Sequence, residues 1–463
     1  MAALAEHTIF FPTPDAALAA RKAKASASEG SLLGVRFTTP EAFVREAWDV
    51  WGDARRVVEH RERLVLVRSL LEEQDLFARL GGTAQLVARF IARYAGVPSF
   101  EEAVARAAKG ETGTASPQPL APAEWALLRF AERYERALDA HGLVELGAAA
   151  ACLEGALPVQ RISCVGAPDV ALAVRRLLAS RGCAEFATEP APFALPLQDG
   201  GVGAGLLVPA GATATVALVR EEVESFFEGC RACGKNASVV VCAPDPRALY
   251  EALSPSLVAA GAACEVVCRV PFVETLFGAA YECAHQLVSD EDGWLRAATD
   301  FAHNPLAGMR RFEAQGINAA LRGNRLSTSG DARDLLRSGS PVFALFERLV
   351  QGESQVMLNA LDAFDARVGG ARLSGAAAES QERAAIDALR GVVRATASLG
   401  VAETLCSRVV HDLASSLSVP LSARTGGEGG NGAVRFASLA AAASLAPRST
   451  DLLVVADVTD AAF

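Results

Sequence analysis

The alternation of short apolar segments with helical segments is the feature that most restricts the fold of this chain. HTIFFPTPDAALAARKAKA, from His7, gives an apolar segment, a turn and a helical pattern that Asp15 is expected to cap, and GVRFTTPEAFVREAWDVW, from Gly34, repeats that order. RISCVGAPDVALAVRRLLASRGCAEFAT, from Arg161, continues with strand, helix and strand. Strands that alternate with helices are typical of parallel sheets covered by helices, so this part predicts an α/β domain.

A second set of alternating segments predicts a second sheet. TATVALV from Thr213, SVVVCAP from Ser238 and CEVVCRV from Cys264 are expected strands, and VRFASL and LLVVADV add strands near the end. Helical periodicity dominates from about 55 to 153 and from about 272 to 417. We therefore predict two parallel-sheet α/β domains, 1–205 and 206–463, each with a mainly helical insertion in the corresponding range.

Composition narrows the class of protein. The 463 residues, 51% of them hydrophobic, are enough to bury large cores. No apolar run reaches the roughly 18 residues that span a bilayer, and the first residues lack the pattern of a secretion signal. We therefore expect a cytoplasmic protein without a membrane partner. The formal net charge of -10 means that any attraction to nucleic acid must come from a local patch.

The ten cysteines do not predict a metal site. A large chain without a secretion signal is expected to keep its thiols reduced. Cys230 and Cys233 could complete a four-thiolate zinc site with Cys264 and Cys268. However, Cys264 and Cys268 lie in an apolar, β-branched run that is typical of a strand rather than of a metal-binding turn. We predict neither a metal nor another cofactor.

The segment GCRACGKN comes close to a phosphate-binding loop. Gly229, Gly234 and Lys235 fit the pattern G-x-x-x-x-G-K, but Asn236 stands where a magnesium-binding hydroxyl is needed. In such a loop a strand precedes and a helix follows, so that the helix N-terminus faces the phosphates. Here REEVESFFEGCRACG predicts a helix before the loop and SVVVCAP a strand after it, so we reject a nucleotide site at these residues.

Four stretches give the chain a family resemblance: FFPTPDAAL, GVRFTTPEAFVREAW, DFAHNPLAG from Asp300, and VRFASLAAAASLAPRSTDLLVVADVTDAAF. They resemble the helicase-like portion of the AddB/RexB proteins, which are subunits of bacterial ATP-dependent helicase/nucleases and to which RecC is related. The resemblance implies two RecA-like domains of the superfamily 1 helicase type, each with a helical insertion. It also implies DNA and an AddA/RexA-like helicase/nuclease protein as partners.

Departures from that family bear on catalysis. Active relatives have a glycine-lysine loop after the first strand, whereas FFPTPDAALAARKAKA has no glycine, and Lys22 and Lys24 lie well into the helix. Only Asp169 is available for the acidic pair that would hold magnesium. The family's nuclease domain and its iron–sulfur cluster would lie beyond Phe463. We therefore expect no intrinsic ATPase or nuclease activity in this chain.

An arginine-rich segment from His303 to Gly339 is the candidate DNA surface. It carries three more basic than acidic side chains, and arginines can neutralise phosphates. The four arginines predicted to contact DNA are Arg310, Arg311, Arg322 and Arg325. An equally weighted interpretation is a solvated helix face whose arginines form internal ion pairs.

The sequence therefore predicts a non-catalytic, helicase-like subunit that binds or channels DNA in double-strand-break repair or recombination, within a helicase–nuclease complex. One alternative is an active nucleotide-dependent helicase with an atypical phosphate loop at Gly229–Lys235. Another is a protein-interaction scaffold that does not bind DNA.

Overall fold

A computed structural model describes residues 7–27, 34–72, 82–109, 121–157, 161–165, 170–183, 211–233, 237–290, 293–323, 328–368, 376–426, 432–438 and 451–456. These residues form two compact units. The first comprises 1–58, 87–267 and 424–463, and the second comprises 59–86 and 268–423. The predicted domain boundary after residue 205 falls in the segment 184–210, outside the described residues, so it stays a prediction.

The regular elements are numbered in chain order. The strands are β1 (His7–Phe10), β2 (Val35–Thr38), β3 (Arg56–Val57), β4 (Leu143–Val144), β5 (Arg161–Cys164), β6 (Ala237–Cys242), β7 (Ala262–Pro271), β8 (Ser418–Thr425), β9 (Gly432–Ala437) and β10 (Leu452–Val455). The helices up to residue 260 are α1 (Pro14–Ala27), α2 (Pro40–Trp51), α3 (His60–Glu72), α4 (Thr83–Tyr94), α5 (Pro98–Ala108), α6 (Pro122–Ala140), α7 (Leu146–Cys152), α8 (Leu172–Ser180), α9 (Ala212–Ala232) and α10 (Pro246–Ala259). The later helices are α11 (Leu276–Val288), α12 (Trp294–His303), α13 (Arg311–Arg322), α14 (Ser329–Gly339), α15 (Phe343–Gln351), α16 (Ser354–Val368), α17 (Ala376–Ser398) and α18 (Glu403–Ala414).

The first sheet has the strand order β2-β1-β5 and is parallel. Phe10 in the central strand pairs with Thr38 on one side and Cys164 on the other. The Phe10 ring is fully buried and meets Phe43 of α2 edge to face, at 5.3 Å between ring centroids. The predicted order of strand, turn and helix is thus confirmed at β1 and β2, in a mixed α/β structure. The strand predicted at CAEFAT lies beyond Cys183, outside the described residues.

Threonines cap the two helices that follow β1 and β2. Thr39 Oγ1 accepts the backbone N–H of Ala42 at 3.2 Å, which satisfies a donor in the first turn of α2. Thr13 Oγ1 accepts the N–H of Ala16 in the same way, at 3.2 Å. The expectation that Asp15 caps the first helix was wrong, because the helix already begins at Pro14 and Thr13 occupies the capping position.

The larger sheet has the strand order β10-β6-β9-β7-β8. β6 pairs in parallel with both β10 and β9, and β9 pairs in parallel with β7. Val239, Val241 and Phe436 are fully buried in these strands, and Tyr250 of α10 meets Phe436 edge to face at 5.7 Å. The strands predicted at SVVVCAP, CEVVCRV, VRFASL and LLVVADV are therefore present, in parallel pairs.

One predicted strand is wrong. TATVALV is the first part of helix α9, which continues without a break to Ala232. The buried side chains Thr215, Val219, Val223 and Phe227 follow one another at four-residue spacing, which is a helical period. Thr215 Oγ1 also donates to the carbonyl of Gly211, one turn earlier, at 3.2 Å. The β-branched residues form the buried side of a long helix, and this packing outweighs their strand propensity.

The second unit is mainly helical, and its core is aromatic. Phe277 of α11 lies 5.3 Å from Phe364 of α16 and 5.5 Å from Phe346 of α15, measured between ring centroids. Phe346 also meets Phe301 of α12 at 5.4 Å, with the rings perpendicular. Helices α11, α12, α15 and α16 therefore pack around one phenylalanine cluster. In the described ranges, no helix has both the length and the apolar character needed to cross a membrane.

Candidate nucleic-acid interface

The predicted arginine surface begins at the N-terminus of α13. Arg310 is the residue before the helix, and its backbone N–H donates to Glu313 Oε2 at 2.7 Å. This contact is half of a capping box, in which the carboxylate satisfies a backbone donor of the first turn. The Glu313 carboxylate is therefore turned to the backbone rather than to the guanidinium groups of Arg310 and Arg311.

The arginines of this segment are not equivalent. Arg310 and Arg311 are exposed, and neither forms an ion pair with another residue that the structure describes. Arg337, by contrast, contacts Asp334 at 2.6 Å and Glu347 at 2.7 Å. The hydrogen bond to Glu347 is the main cause that raises the pKa of Arg337 above its ordinary value. The ion-pair interpretation therefore fits Arg337, and the phosphate-binding interpretation fits Arg310 and Arg311.

Helix geometry gives α13 a polar side. Positions 311, 315, 318 and 322 fall within about 60° of one another around the helix axis, and they span about 16 Å along it. Arg311 and Gln315 are exposed there, and Asn318 is half-buried. Ala314, Ile317 and Leu321, on the other side, are buried. The helix packs by its apolar side and offers hydrogen-bond donors on a side about 100° away around its axis.

The other two predicted contacts are placed less completely. Arg322 is the last residue of α13, so its backbone position lies on the polar side, but its side chain is not described. Arg325 lies in the segment 324–327, outside the described residues. The structure thus brings Arg310, Arg311 and Arg322 onto one helix and says nothing of Arg325.

Phe312 is a feature of this surface that was not predicted. Its side chain is 62% exposed, although a phenylalanine on a helix that packs against the protein is usually buried. It directly follows Arg310 and Arg311 in sequence, so an exposed apolar ring and two exposed cations occur at the same end of α13. The run Arg310–Arg311–Phe312 was visible in the sequence, but only the structure shows that Phe312 is outside the apolar side of α13 formed by Ala314, Ile317 and Leu321.

The rejected phosphate loop has the predicted element order. Gly229 lies inside α9, which ends at Ala232, and strand β6 begins at Ala237. A helix therefore precedes the segment and a strand follows it, the reverse of the arrangement that directs a helix N-terminus at an anion. Gly234 and Lys235 lie outside the described residues.

The carboxyl edge of the first sheet is the place where open α/β sheets usually bind ligands. Here Phe11 follows β1 and is buried, with its ring stacked on Phe37 at 5.9 Å between centroids. The backbone N–H of Phe11 donates to the carbonyl of Thr38 at 2.9 Å. A cavity of about 200 Å³ remains between α1 and β2, and Arg21 and Thr39 are among the residues that line it. The connection after β1 therefore contains an aromatic ring that packs on β2 and a backbone amide that is already hydrogen-bonded.

No known protein-family model matches the chain, and none of the curated proteins matches it. Among the residues that the structure describes, no three histidine, cysteine, aspartate or glutamate side chains form a group able to hold a metal ion. The described residues form a mixed α/β structure with parallel sheets. The N-terminus of α13 is exposed and cationic.

Proposed function

We propose that this chain is a non-catalytic, helicase-like subunit that holds or channels DNA in double-strand-break repair or recombination, as part of a helicase–nuclease complex. The observation that carries the proposal is the exposure of Arg310 and Arg311 without ion-pair partners among the described residues. On a protein with a net charge of -10, two exposed, consecutive arginines that form no ion pair with a described residue offer a local site for phosphates. The donors on the polar side of α13 extend that site along the helix.

Phe312 supports a nucleic acid over a simple anion as the ligand. An exposed aromatic ring beside arginines can stack on a base while the arginines contact the flanking phosphates. A free inorganic anion would gain nothing from the ring. The same three residues therefore fit the backbone and a base of one DNA strand.

The finer fold is also part of the proposal. We propose that the sheets β2-β1-β5 and β10-β6-β9-β7 are the cores of two RecA-like domains. Their parallel pairing, with helices between successive strands, supports this assignment. The segments of about 55–153 and about 272–417 would then be the helical insertions, and α13 would lie on the second of them, within the second compact unit.

The packing after β1 supports a subunit that does not hydrolyse ATP. A phosphate-binding loop offers free backbone N–H groups to the anion, whereas the Phe11 N–H is engaged with Thr38 and the ring is stacked on Phe37. ATP hydrolysis by the purified chain, stimulated by single-stranded DNA, would contradict the non-catalytic assignment. Loss of nucleotide binding in Lys235→Ala would favour the atypical phosphate loop.

Fluorescence anisotropy of a labelled DNA duplex with a single-stranded tail, titrated at several salt concentrations, tests the proposal. We expect binding that weakens log-linearly with salt, and a slope smaller by about 2 in the Arg310→Ala/Arg311→Ala variant, because two phosphate contacts are lost. The matched control is Arg337→Ala/Arg383→Ala, which removes the same charge from arginines that are held in ion pairs.

The control should keep the wild-type slope. Equal loss of binding in both double variants would mean that only net charge matters, and would contradict a site at α13. Absence of binding at low salt would favour the interaction scaffold that does not bind DNA.

A further inference from the structure

Two half-buried histidines of the second unit stack on each other. The imidazole rings of His285, on α11, and His411, on α18, lie 3.3 Å apart between centroids with only 3° between their planes. Nδ1 of His411 is buried and has no hydrogen-bond partner among the described residues. Tyr281, one turn before His285, lies 6.0 Å from the His411 ring and is itself buried. The pair therefore joins two helices through an apolar ring contact.

Such a contact suits neutral imidazoles. Burial lowers the pKa of His411, and the nearby carboxylate of Asp412 opposes this effect only in part. Two cations stacked at this distance would repel each other strongly, because water does not separate them. The two rings must therefore titrate as a coupled pair, in which the second proton is the more costly one.

The charged groups around the pair are mostly engaged elsewhere. Asp412 accepts a hydrogen bond from Arg68 Nε of α3 at 2.8 Å, and Arg408 contacts Glu72 of α3 at 3.2 Å. Glu282 of α11 is an acid close to the pair, with its Oε2 4.0 Å from His411 Nδ1. A first proton on His411 could be balanced by Glu282, but the single negative charge of Glu282 does not neutralise two adjacent imidazolium ions.

The two buried charged groups of helix α17, which packs against both α11 and α18, are engaged in other contacts. Glu382 accepts the backbone N–H groups at the start of α11, and Arg390 is surrounded by the aspartates at 362, 365 and 387.

We propose that the stacked pair of His285 and His411 is an acid-sensitive contact between α11 and α18. The contact is closed while both rings are neutral and opens when the second ring is protonated. Acidification would then loosen these two helices before the rest of the second unit unfolds.

Hydrogen exchange of the intact chain tests this contact. After correction for intrinsic rates, amides of α11 and α18 should exchange at least about tenfold faster at about pH 5.5 than at about pH 7.5, since this interval crosses the ordinary histidine pKa. His411→Phe keeps a ring of similar shape that cannot take up a proton, so the acid response should largely disappear. His141→Gln, which removes an exposed histidine after α6, should keep the wild-type response.

An acid response that is the same in His411→Phe as in the wild type would overturn the proposal, as would its absence from the wild type. If His411→Phe does not fold, the imidazole proton resonances of the wild type decide the question. The proposal requires one of the two histidines to stay neutral until α11 and α18 begin to exchange rapidly. Two independent titrations near the ordinary histidine pKa, with the helices still protected, would overturn it.

Discussion

Glu382 Oε2 accepts the backbone N–H of Phe277 at 2.7 Å, across 105 residues of sequence. Its other oxygen accepts the N–H of Leu276 at 3.0 Å, so one carboxylate from α17 satisfies two donors at the N-terminus of α11. Only 2% of Glu382 is exposed. Burial raises the pKa of Glu382, and the two N–H donors oppose that rise. This contact holds the first turn of α11 beside the phenylalanine cluster.

Removal of this carboxylate should destabilise the second unit. We expect Glu382→Ala to lower the free energy of unfolding by about 2 to 3 kcal/mol, because two N–H groups, one of them buried, lose a charged acceptor. The control is Glu379→Ala, on the same helix, where a half-exposed carboxylate pairs with Arg383. That substitution should cost less than about 1 kcal/mol. Urea denaturation of both variants measures the difference, and equal losses would contradict the capping role.

Arg68 should contribute more to the stability of the second unit than Arg408, although both contact Glu72. The Arg68 side chain is 11% exposed and joins Glu72 to Asp412, whereas Arg408 is 60% exposed. Arg68→Met should lower the free energy of unfolding by about 3 kcal/mol, because two carboxylates, one of them buried, lose their main partner. Arg408→Met should cost less than about 1 kcal/mol. Thermal denaturation of the two variants checks this order, and a larger loss in Arg408→Met would contradict it.

Glu135 should make the first unit less stable as the pH rises. Burial, followed by the neighbouring carboxylate of Glu101, raises the pKa of Glu135 to about 8 from 4.5. The folded state therefore keeps a proton that the unfolded state releases, so the stabilisation is present below about pH 4.5 and is lost as the pH rises through about 8.

Glu135→Gln keeps the neutral form at every pH and should remove this dependence. We expect its denaturation midpoint to exceed that of the wild type by an amount that grows between about pH 5 and pH 8. Glu102→Gln, at an exposed position on α5, should follow the wild type. Parallel curves for the wild type and Glu135→Gln would mean that Glu135 titrates normally.

Phe312 should contribute to DNA binding if the proposed function is correct. Loss of one stacked base costs about 1 to 3 kcal/mol, so Phe312→Ala should weaken binding to a single-stranded tail at least about fivefold. Its effect should not change the salt dependence, because no charge is removed. Leu295→Ala, at another exposed apolar position, should bind like the wild type. Unchanged affinity in Phe312→Ala would mean that the ring does not meet a base.

Local sequence was sufficient for most of the strands and their connecting helices. The segments at His7, Val35, Arg161 and Ala237 combine apolar runs with turn residues, and each became a strand of a parallel sheet. TATVALV failed because β-branched residues are compatible with either element over a short run. The four-residue spacing of Thr215, Val219 and Val223 decided for a helix, and that period is apparent only when the following segment is included.

For the candidate interface, the sequence determined which arginines are present, and the tertiary structure decided which of them form ion pairs. Six arginines between residues 303 and 339 could be counted, but an arginine beside an aspartate in sequence can either face it or turn away. Glu347, which neutralises Arg337 from another helix, and the backbone contact of Glu313, which leaves Arg310 and Arg311 unpaired among the described residues, both depend on helix packing and rotamers.

The sequence by itself therefore determined the α/β class, since hydrophobic period and turn chemistry are local properties. Only the tertiary structure decided which distant groups meet: Glu382 with Phe277, His285 with His411, and Arg68 with Asp412. These contacts join residues far apart in the chain, and they form only where packed helices bring them together. Local propensity acts within a few residues, so it does not predict contacts between residues far apart in the chain. Burial and ion pairing act between any residues that the fold brings together.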